Sequence, residues 1–300
     1  MSLEAGVMSS PHVVVTGCSS GIGRATALRL AAGGHHVYAG VRKHADGDAL
    51  QQAARSAAGE ITPLLLDVTS PAEIAEAAAA VAEHVGAAGL AGLVNNAGIG
   101  GFGPLELISL DDFRRLLEIN VTGQLAVTQA FLPQLRRAQG RVVMVGSIGD
   151  RFTPPFVGPL GASKSSLATL SEALRQELAP WNIRVVLIEP GSIHTEAVAK
   201  LDSDAEQVMS RATPAGRALY QDAFRRFVAA FAGLHAHGSP PEEVAKVIAH
   251  ALTTARPRAR YLAGKNSRRM AVAAKVLPTP MQDALRRRLT HQPAPGSLAA

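Results

Sequence analysis

From residue 12 to about residue 190 the chain alternates short unbroken apolar runs with alanine-rich stretches of helical length. The runs are His12-Val13-Val14-Val15-Thr16, His36-Val37-Tyr38-Ala39-Gly40-Val41, Leu64-Leu65-Leu66, Gly92-Leu93-Val94, Arg141-Val142-Val143-Met144-Val145 and Arg184-Val185-Val186-Leu187-Ile188. Continuous rather than alternating apolar residues mark strands covered on both faces. Between them Gly23–Ala32 and about Pro71–His84 read as helices, and Leu167, Leu170, Leu174 and Leu178 recur at steps of three and four, one apolar helical stripe. Repeated strand-helix units predict an α/β fold, a doubly wound parallel sheet with right-handed crossovers and helices on both faces. The 300 residues supply one large core, and the scarcity of aromatics, 4%, suits a helix-covered parallel sheet better than an all-β fold. With neither a solenoid-length repeat nor a linker, the chain reads as a single domain.

Residues 193–240 break the rhythm. Phe224, Phe227, Val228 and Phe231 form a helical apolar stripe that serves either as core or as a lid over the carboxyl ends of the strands. The expected layout is one domain over 1–265, with a lid segment at about 193–240 and a basic tail at 266–300. The formal net charge of +6 is concentrated toward that end, at Arg256, Arg258, Arg260, Lys265, Arg268, Arg269 and Arg286-Arg287-Arg288. A solvated helix face accounts for these charges more readily than a nucleic-acid or anionic-membrane surface, and without a nucleic-acid motif no nucleic-acid partner is expected. The N-terminus lacks a basic region followed by an apolar run, and no uncharged stretch is long enough for a membrane span. Cys18 is the single cysteine, so no intramolecular disulfide can form, and a reducing, cytoplasmic location is expected. No metal is expected either, since His, Cys and acidic residues are not clustered at ligand spacing.

Thr16-Gly17-Cys18-Ser19-Ser20-Gly21-Ile22-Gly23 joins the first strand to the first helix. Its glycines permit a tight turn and close approach to a pyrophosphate, and the helix N-terminus adds amide donors. Asn95-Asn96-Ala97-Gly98 follows the fourth strand, Ser147 the fifth, and Pro190-Gly191-Ser192-Ile193-His194-Thr195 the sixth. In this order and spacing the segments resemble the short-chain dehydrogenase/reductase family over roughly residues 12–260.

The resemblance implies a Rossmann-type fold, a nicotinamide cofactor, hydride exchange with a small ketone or secondary alcohol, and a homo-oligomer built on helices near 110–135 and 165–178; Phe224, Phe227 and Phe231 suggest that the substrate is apolar. It places Gly17, Ser19, Ser20, Gly21, Ile22 and Gly23 around the phosphates and adenosine ribose, Asp67 and Val68 at the adenine, and Asn95, Ala97 and Gly98 along the adenosine. Pro190, Gly191, Ile193 and Thr195 would hold the nicotinamide end. At the end of the second strand an acid would bind a free ribose 2′-hydroxyl, but the chain has Arg42-Lys43, which suits a 2′-phosphate and points to NADP(H).

The family's catalytic set is Asn, Ser, Tyr and Lys. Asn120, Ser147 and Lys164 match three of its members, Lys164 also serving the cofactor ribose. The tyrosine position, four residues before Lys164, is Leu160. Leucine has no ionisable proton, and a positioned general acid contributes about 10²–10⁴ in rate. Tyr38, Tyr220 and Tyr261 are the tyrosines of the chain, and none has the right spacing to Lys164. Three accounts stand at this point: a cofactor-binding protein of impaired activity or regulatory role; an oxidoreductase that takes its proton from water, Ser147, His194 or Tyr220; or a non-redox enzyme, an isomerase or cyclase, on the same scaffold.

Overall fold

The computed structural model describes residues 11–195 and 200–297. Seven strands form one parallel sheet in the order β3-β2-β1-β4-β5-β6-β7. They are β1 (His12–Val15), β2 (His36–Val41), β3 (Glu60–Leu65), β4 (Gly92–Asn95), β5 (Arg141–Val145), β6 (Arg184–Pro190) and β7 (Arg260–Ala263). The helices α1 (Gly21–Ala32), α2 (His44–Ala53), α3 (Pro71–Val85), α4 (Leu110–Leu117), α5 (Gly123–Ala138) and α6 (Gly158–Glu177) connect the first six strands, α4 and α5 both lying between β4 and β5. After β6 come α7 (Leu201–Arg211), α8 (Pro214–Ala236) and α9 (Pro241–Thr253), and after β7 come α10 (Ser267–Val276) and α11 (Thr279–Leu289).

Successive residues of a strand point to opposite faces. Val14, Leu93, Val142, Met144 and Leu187 pack on one side against Phe131 and Leu135 of α5 and Leu167 and Leu174 of α6. Val13, Val15, Val143, Val145 and Ile188 pack on the other against Leu30 of α1 and Val244 and Ile248 of α9. Both faces are covered, which is why the central strands are apolar at every position. A third, smaller cluster lies beyond the sheet: Phe224, Phe227 and Val228 of α8 meet Val157 and Leu201, with Phe102, Phe156, Leu160 and Phe231 around them.

The edges of the sheet depart from the expectations. Strand β3 runs from Glu60 to Leu65 rather than over 64–66, and pairs along the whole of β2. Its Thr62 and Pro63 obscure the strand pattern in sequence, and a proline is tolerated because β3 is an outer strand. A seventh strand, unforeseen, lies at the other edge, where Arg260-Tyr261-Leu262-Ala263 is half-buried and opens on a charge. The basic tail is helical over α10 and α11. The first helix starts at Gly21, two residues before the expected start at Gly23.

At the amino end of the sheet three histidines gather. His12 opens β1, His36 opens β2 and His84 lies in the last turn of α3, with ring centroids 5.2 Å (His12–His36), 4.9 Å (His36–His84) and 6.1 Å (His12–His84) apart. Tyr38 stacks on His36, and its hydroxyl lies 3.2 Å from His12 Nδ1. Burial, then the neighbouring imidazoles His36 and His84, lower the His12 pKa. Burial lowers that of His36 as well, against the pull of Glu60 and with His84 adding to the fall. A histidine that resists protonation when folded leaves the unfolded chain binding more protons, so stability falls as pH drops below about 6.5, the unfolded value. Thermal unfolding followed by circular dichroism should show the melting temperature falling from pH 7 to pH 5. His84→Gln, by removing one of the three imidazoles, should flatten that slope, and an unchanged slope would count against the cluster as its source.

Candidate functional site

In a doubly wound sheet, ligand sites form at the carboxyl ends of strands where the order reverses; here that is between β1 and β4. Thr16, directly after β1, is fully buried, and its hydroxyl oxygen accepts from the backbone N–H of Asn96 (3.0 Å) and Ala97 (2.9 Å). The Asn96 side-chain amide donates back to the carbonyls of Thr16 (2.9 Å) and Gly17 (3.1 Å). These bonds bring the turn after β1 against the turn after β4. Gly17 has φ +68°, and a Cβ on it would lie 2.8 Å from Ala97 Cα. A Cβ on Gly23 would lie 2.1 Å from the Gly17 carbonyl oxygen, so only glycine fits. Ser20 caps α1 without a side-chain hydrogen bond, which leaves the first-turn amides for another acceptor. Ser19 is exposed, and Gly21 and Ile22 are half-buried at the mouth. A backbone cradle closed to side chains and opened by a helix N-terminus fits a pyrophosphate.

Around the cradle, Arg42 and Lys43 stand exposed just past β2. Asp67 lies past β3, and its Oδ1 accepts from the Thr69 N–H (2.8 Å) and hydroxyl (2.7 Å). Burial works to raise the Asp67 pKa, but these two bonds and the charges of Arg42 and Arg115 outweigh it and lower it. Val68 is buried beside Gly123, and Gly98 is exposed past Ala97. Asn95 is 1% exposed, with its amide spent on Thr128 (2.7 Å) and Met144 (3.2 Å), so Asn96, not Asn95, touches the glycine loop. From the other side the Pro190–Thr195 loop closes in, and a Cβ on Gly21 would lie 3.6 Å from Thr195. Past Pro190 that loop is pinned by the end of β7, by the residues just after it and by the turn before α9: the N–H of Gly191 donates to Ala263, that of Ser192 to Lys265 and that of His194 to Ser239, each at 2.9 Å. Ile193 is buried beneath it.

The chemical end lies along β5 and α6. Asn120 is buried in a π-helical turn, Glu118–Thr122. Its Oδ1 accepts from Ile99 N–H (2.9 Å), and its amide donates to Ile99 carbonyl (3.0 Å) and Ser163 Oγ (3.1 Å). Ser163 in turn donates to the Leu160 carbonyl (2.8 Å), so Asn120 supports the backbone at position 160. Ser163 carried no signal in the sequence beyond its place beside Lys164. Ser147 Oγ accepts from Gly149 N–H (3.0 Å), which leaves its proton to donate. Lys164 Nζ donates to Val145 carbonyl (2.9 Å), and burial pushes its pKa down to about 8.

Leu160 projects among the aromatic side chains of the third cluster. The three tyrosines are engaged elsewhere. Tyr38 is buried at the far end of β2, Tyr220 donates to Glu106 (2.6 Å), and Tyr261 accepts from the Arg258 N–H (3.0 Å). His194 is exposed.

A buried ion network stands behind the site. Glu189, the residue before Pro190, is fully buried and accepts from Arg151 (2.6 and 2.8 Å) and Arg260 (3.0 Å). Arg260 also reaches Asp150 (3.1 Å) and Glu172 (2.6 Å). Burial first, then the adjacent Glu189 carboxylate, raise the Asp150 pKa to about 6 against the pull of Arg260 and Arg151. The network ties the turn after Ser147 to the strand before Pro190 and to β7.

Residues 11–206 match the family model described as short chain dehydrogenase. The chain belongs to the short-chain dehydrogenase family. Similar proteins include mouse retinol dehydrogenase 5, 35% identical over 95% of this chain and 91% of that protein. An NADPH-dependent 3-dehydrocapnine reductase of Ornithobacterium rhinotracheale is 31% identical over 91% of this chain and 94% of its own. Among solved structures, a short-chain dehydrogenase from Streptomyces avermitilis superposes with a TM-score of 0.72 at 28% identity, covering 95% of this chain and 96% of that one.

Removing the Glu189 carboxylate leaves two arginines facing a buried gap. Glu189→Ala should lower unfolding stability by about 3 kcal/mol, the lower end for a broken buried pair, because both arginines keep some solvent contact. Urea unfolding measures it, and a loss below about 1 kcal/mol would show the network to be dispensable.

Proposed function

We propose that the chain is an NADP(H)-dependent oxidoreductase of slow turnover, moving hydride between the nicotinamide and an apolar ketone or alcohol. The reading rests on one arrangement: a glycine cradle past β1, Asn120, Ser147 and Lys164 held near the carboxyl ends of β4 and β5, and Leu160 four residues before Lys164. The bound nicotinamide supplies or accepts the hydride. Gly17, Ser19, Ser20, Gly21, Ile22 and Gly23 hold the phosphates, Asp67 and Val68 the adenine, and Ala97 and Gly98 the adenosine, with Asn95 behind them. Pro190, Gly191, Ile193 and Thr195 shape the nicotinamide end. Lys164, cationic below about pH 8, holds the ribose.

Ser147, with its proton uncommitted, donates to the substrate oxygen. Leu160 contributes an apolar wall and no proton, so the oxygen is protonated by water and the step is slow. Arg42 and Lys43 meet a 2′-phosphate, and the NADPH dependence of the 3-dehydrocapnine reductase named above accords with that. The aromatic cluster around Leu160 and the relatives named for retinol, an apolar alcohol, support an apolar substrate. A second reading, a cofactor-binding protein without turnover, is favoured by Leu160 alone.

Leu160→Tyr decides between the two. NADPH consumption with a panel of apolar ketones should rise about 10²- to 10⁴-fold over the native protein. A native protein that already matches the variant would overturn the assignment of position 160. A variant that binds NADPH yet reduces nothing would favour the second reading.

Cofactor choice is tested separately by fluorescence titration. NADPH should bind more tightly than NADH, and Arg42→Ala should weaken NADPH by about 10- to 100-fold, the worth of charge-assisted hydrogen bonds, while leaving NADH nearly unchanged. Tighter NADH binding by the native protein would reverse the assignment.

A further inference from the structure

The C-terminal helices carry a charged and apolar surface that the crevice does not use. From Arg256 onward the chain has ten basic residues against one acid, Asp283, although its net charge is only +6. Asp283 is engaged by Arg286 at 3.1 Å. Helix α10 buries Ser267 and Ala271 and turns the opposite face outward. At 100° per residue that face collects Arg268, Arg269, Val272, Lys275 and Val276. The two valines are 60% and 68% exposed, with basic side chains on either side of them. The ion pairs of this region use Arg260 and Arg286, and Arg268, Arg269 and Lys275 have no acidic partner within ion-pair distance among the described residues. Glu243 shares the adjoining hollow with Arg268 and Arg269 without pairing to them. On α11, Met281 is 56% exposed and shares a face with Arg288 two turns on.

Solvation alone accounts for the arginines but not for valines left in water between them. A neutral protein partner would cover the valines and strand the cations, and a nucleic acid would pair with the cations and leave the valines bare. A surface of anionic headgroups over acyl chains satisfies both at once. We propose that the outward face of α10, extended by Met281 and Arg288 of α11, docks on an anionic lipid bilayer. The attachment is peripheral, since no helix among the described residues is long and apolar enough to cross a membrane. The end of α11 is bonded to α8: Arg226 donates to the His291 carbonyl (3.2 Å), and Gln292 to that of Ala223 (3.1 Å). Docking therefore sets the aromatic helix beside the lipid. The proposal stands on the surface alone and does not depend on the redox reading.

Co-sedimentation of the full chain with vesicles tests it. Vesicles of phosphatidylcholine with about one-third phosphatidylglycerol should bind the protein at low salt and release it as potassium chloride is raised. Vesicles of phosphatidylcholine alone should not. Arg268→Glu with Arg269→Glu should weaken the partitioning at least about tenfold. Val272→Ser with Val276→Ser should weaken it severalfold with every charge retained, and both pairs should keep the native circular dichroism spectrum and melting temperature as a control for folding. Equal binding to neutral and anionic vesicles, or none to either, would overturn the proposal. So would valine variants that bind as the native chain does, or a dimer in solution that dissociates in the valine variant. Retention of duplex DNA without retention of vesicles would assign the charges to nucleic acid instead.

Discussion

The site depends on the bonds that tie the turn after β1 to the turn after β4. Four hydrogen bonds, two to the Thr16 hydroxyl oxygen and two from the Asn96 amide, hold backbone against backbone where the sheet changes direction. Each is worth only about 1 kcal/mol net, but a buried polar group left without its partner costs more than the bond is worth. Without them, Gly17 could not lie against Ala97, nor Gly23 against the Gly17 carbonyl, and the N-terminus of α1 would not open onto the crevice. The aliphatic strands set the frame, and this polar stitch sets the geometry within it.

The two ends of the crevice are built by different means. At the turn from β1 into α1 the backbone itself lines the crevice, and Gly17 and Gly23 leave no room for a side chain. The chemical end is made of side chains whose hydrogen bonds are largely committed: Asn120 to Ile99 and Ser163, Ser163 to the carbonyl of Leu160, Lys164 to Val145. That scaffolding holds the backbone at position 160 whatever side chain it carries. Leucine there has no ionisable proton and makes apolar contact with the aromatic cluster, which favours packing. Behind both ends, the Glu189 network ties the turn after Ser147 to the approach to Pro190 and to β7.

Most of the frame was legible in the sequence. Strands β1, β2, β4, β5 and β6 are buried on both faces, and a residue facing either helical layer must be apolar, so their runs are unbroken. The outer strands escape that rule. Thr62 and Pro63 in β3 and Arg260 in β7 are permitted because one side of each strand has no neighbour. Several contributors to the crevice were illegible for a related reason. Asn95 and Asn96 are adjacent and chemically identical, and only the twist of the chain past β4 sends one into the core and the other to the glycine loop. The part played by residues 263–265 in pinning the Pro190–Thr195 loop rests on backbone hydrogen bonds, which no side chain announces.

What the sequence determined by itself was a doubly wound sheet, a glycine turn and a leucine four residues before Lys164, because periodicity and residue type are local properties of the chain. What the tertiary structure alone decided was which carbonyl each amide reaches, which charges become buried partners, and that Leu160 faces phenylalanines from a helix more than sixty residues away. Those are contacts across the fold, and their energies exist only once distant segments have been brought within a few ångströms of one another.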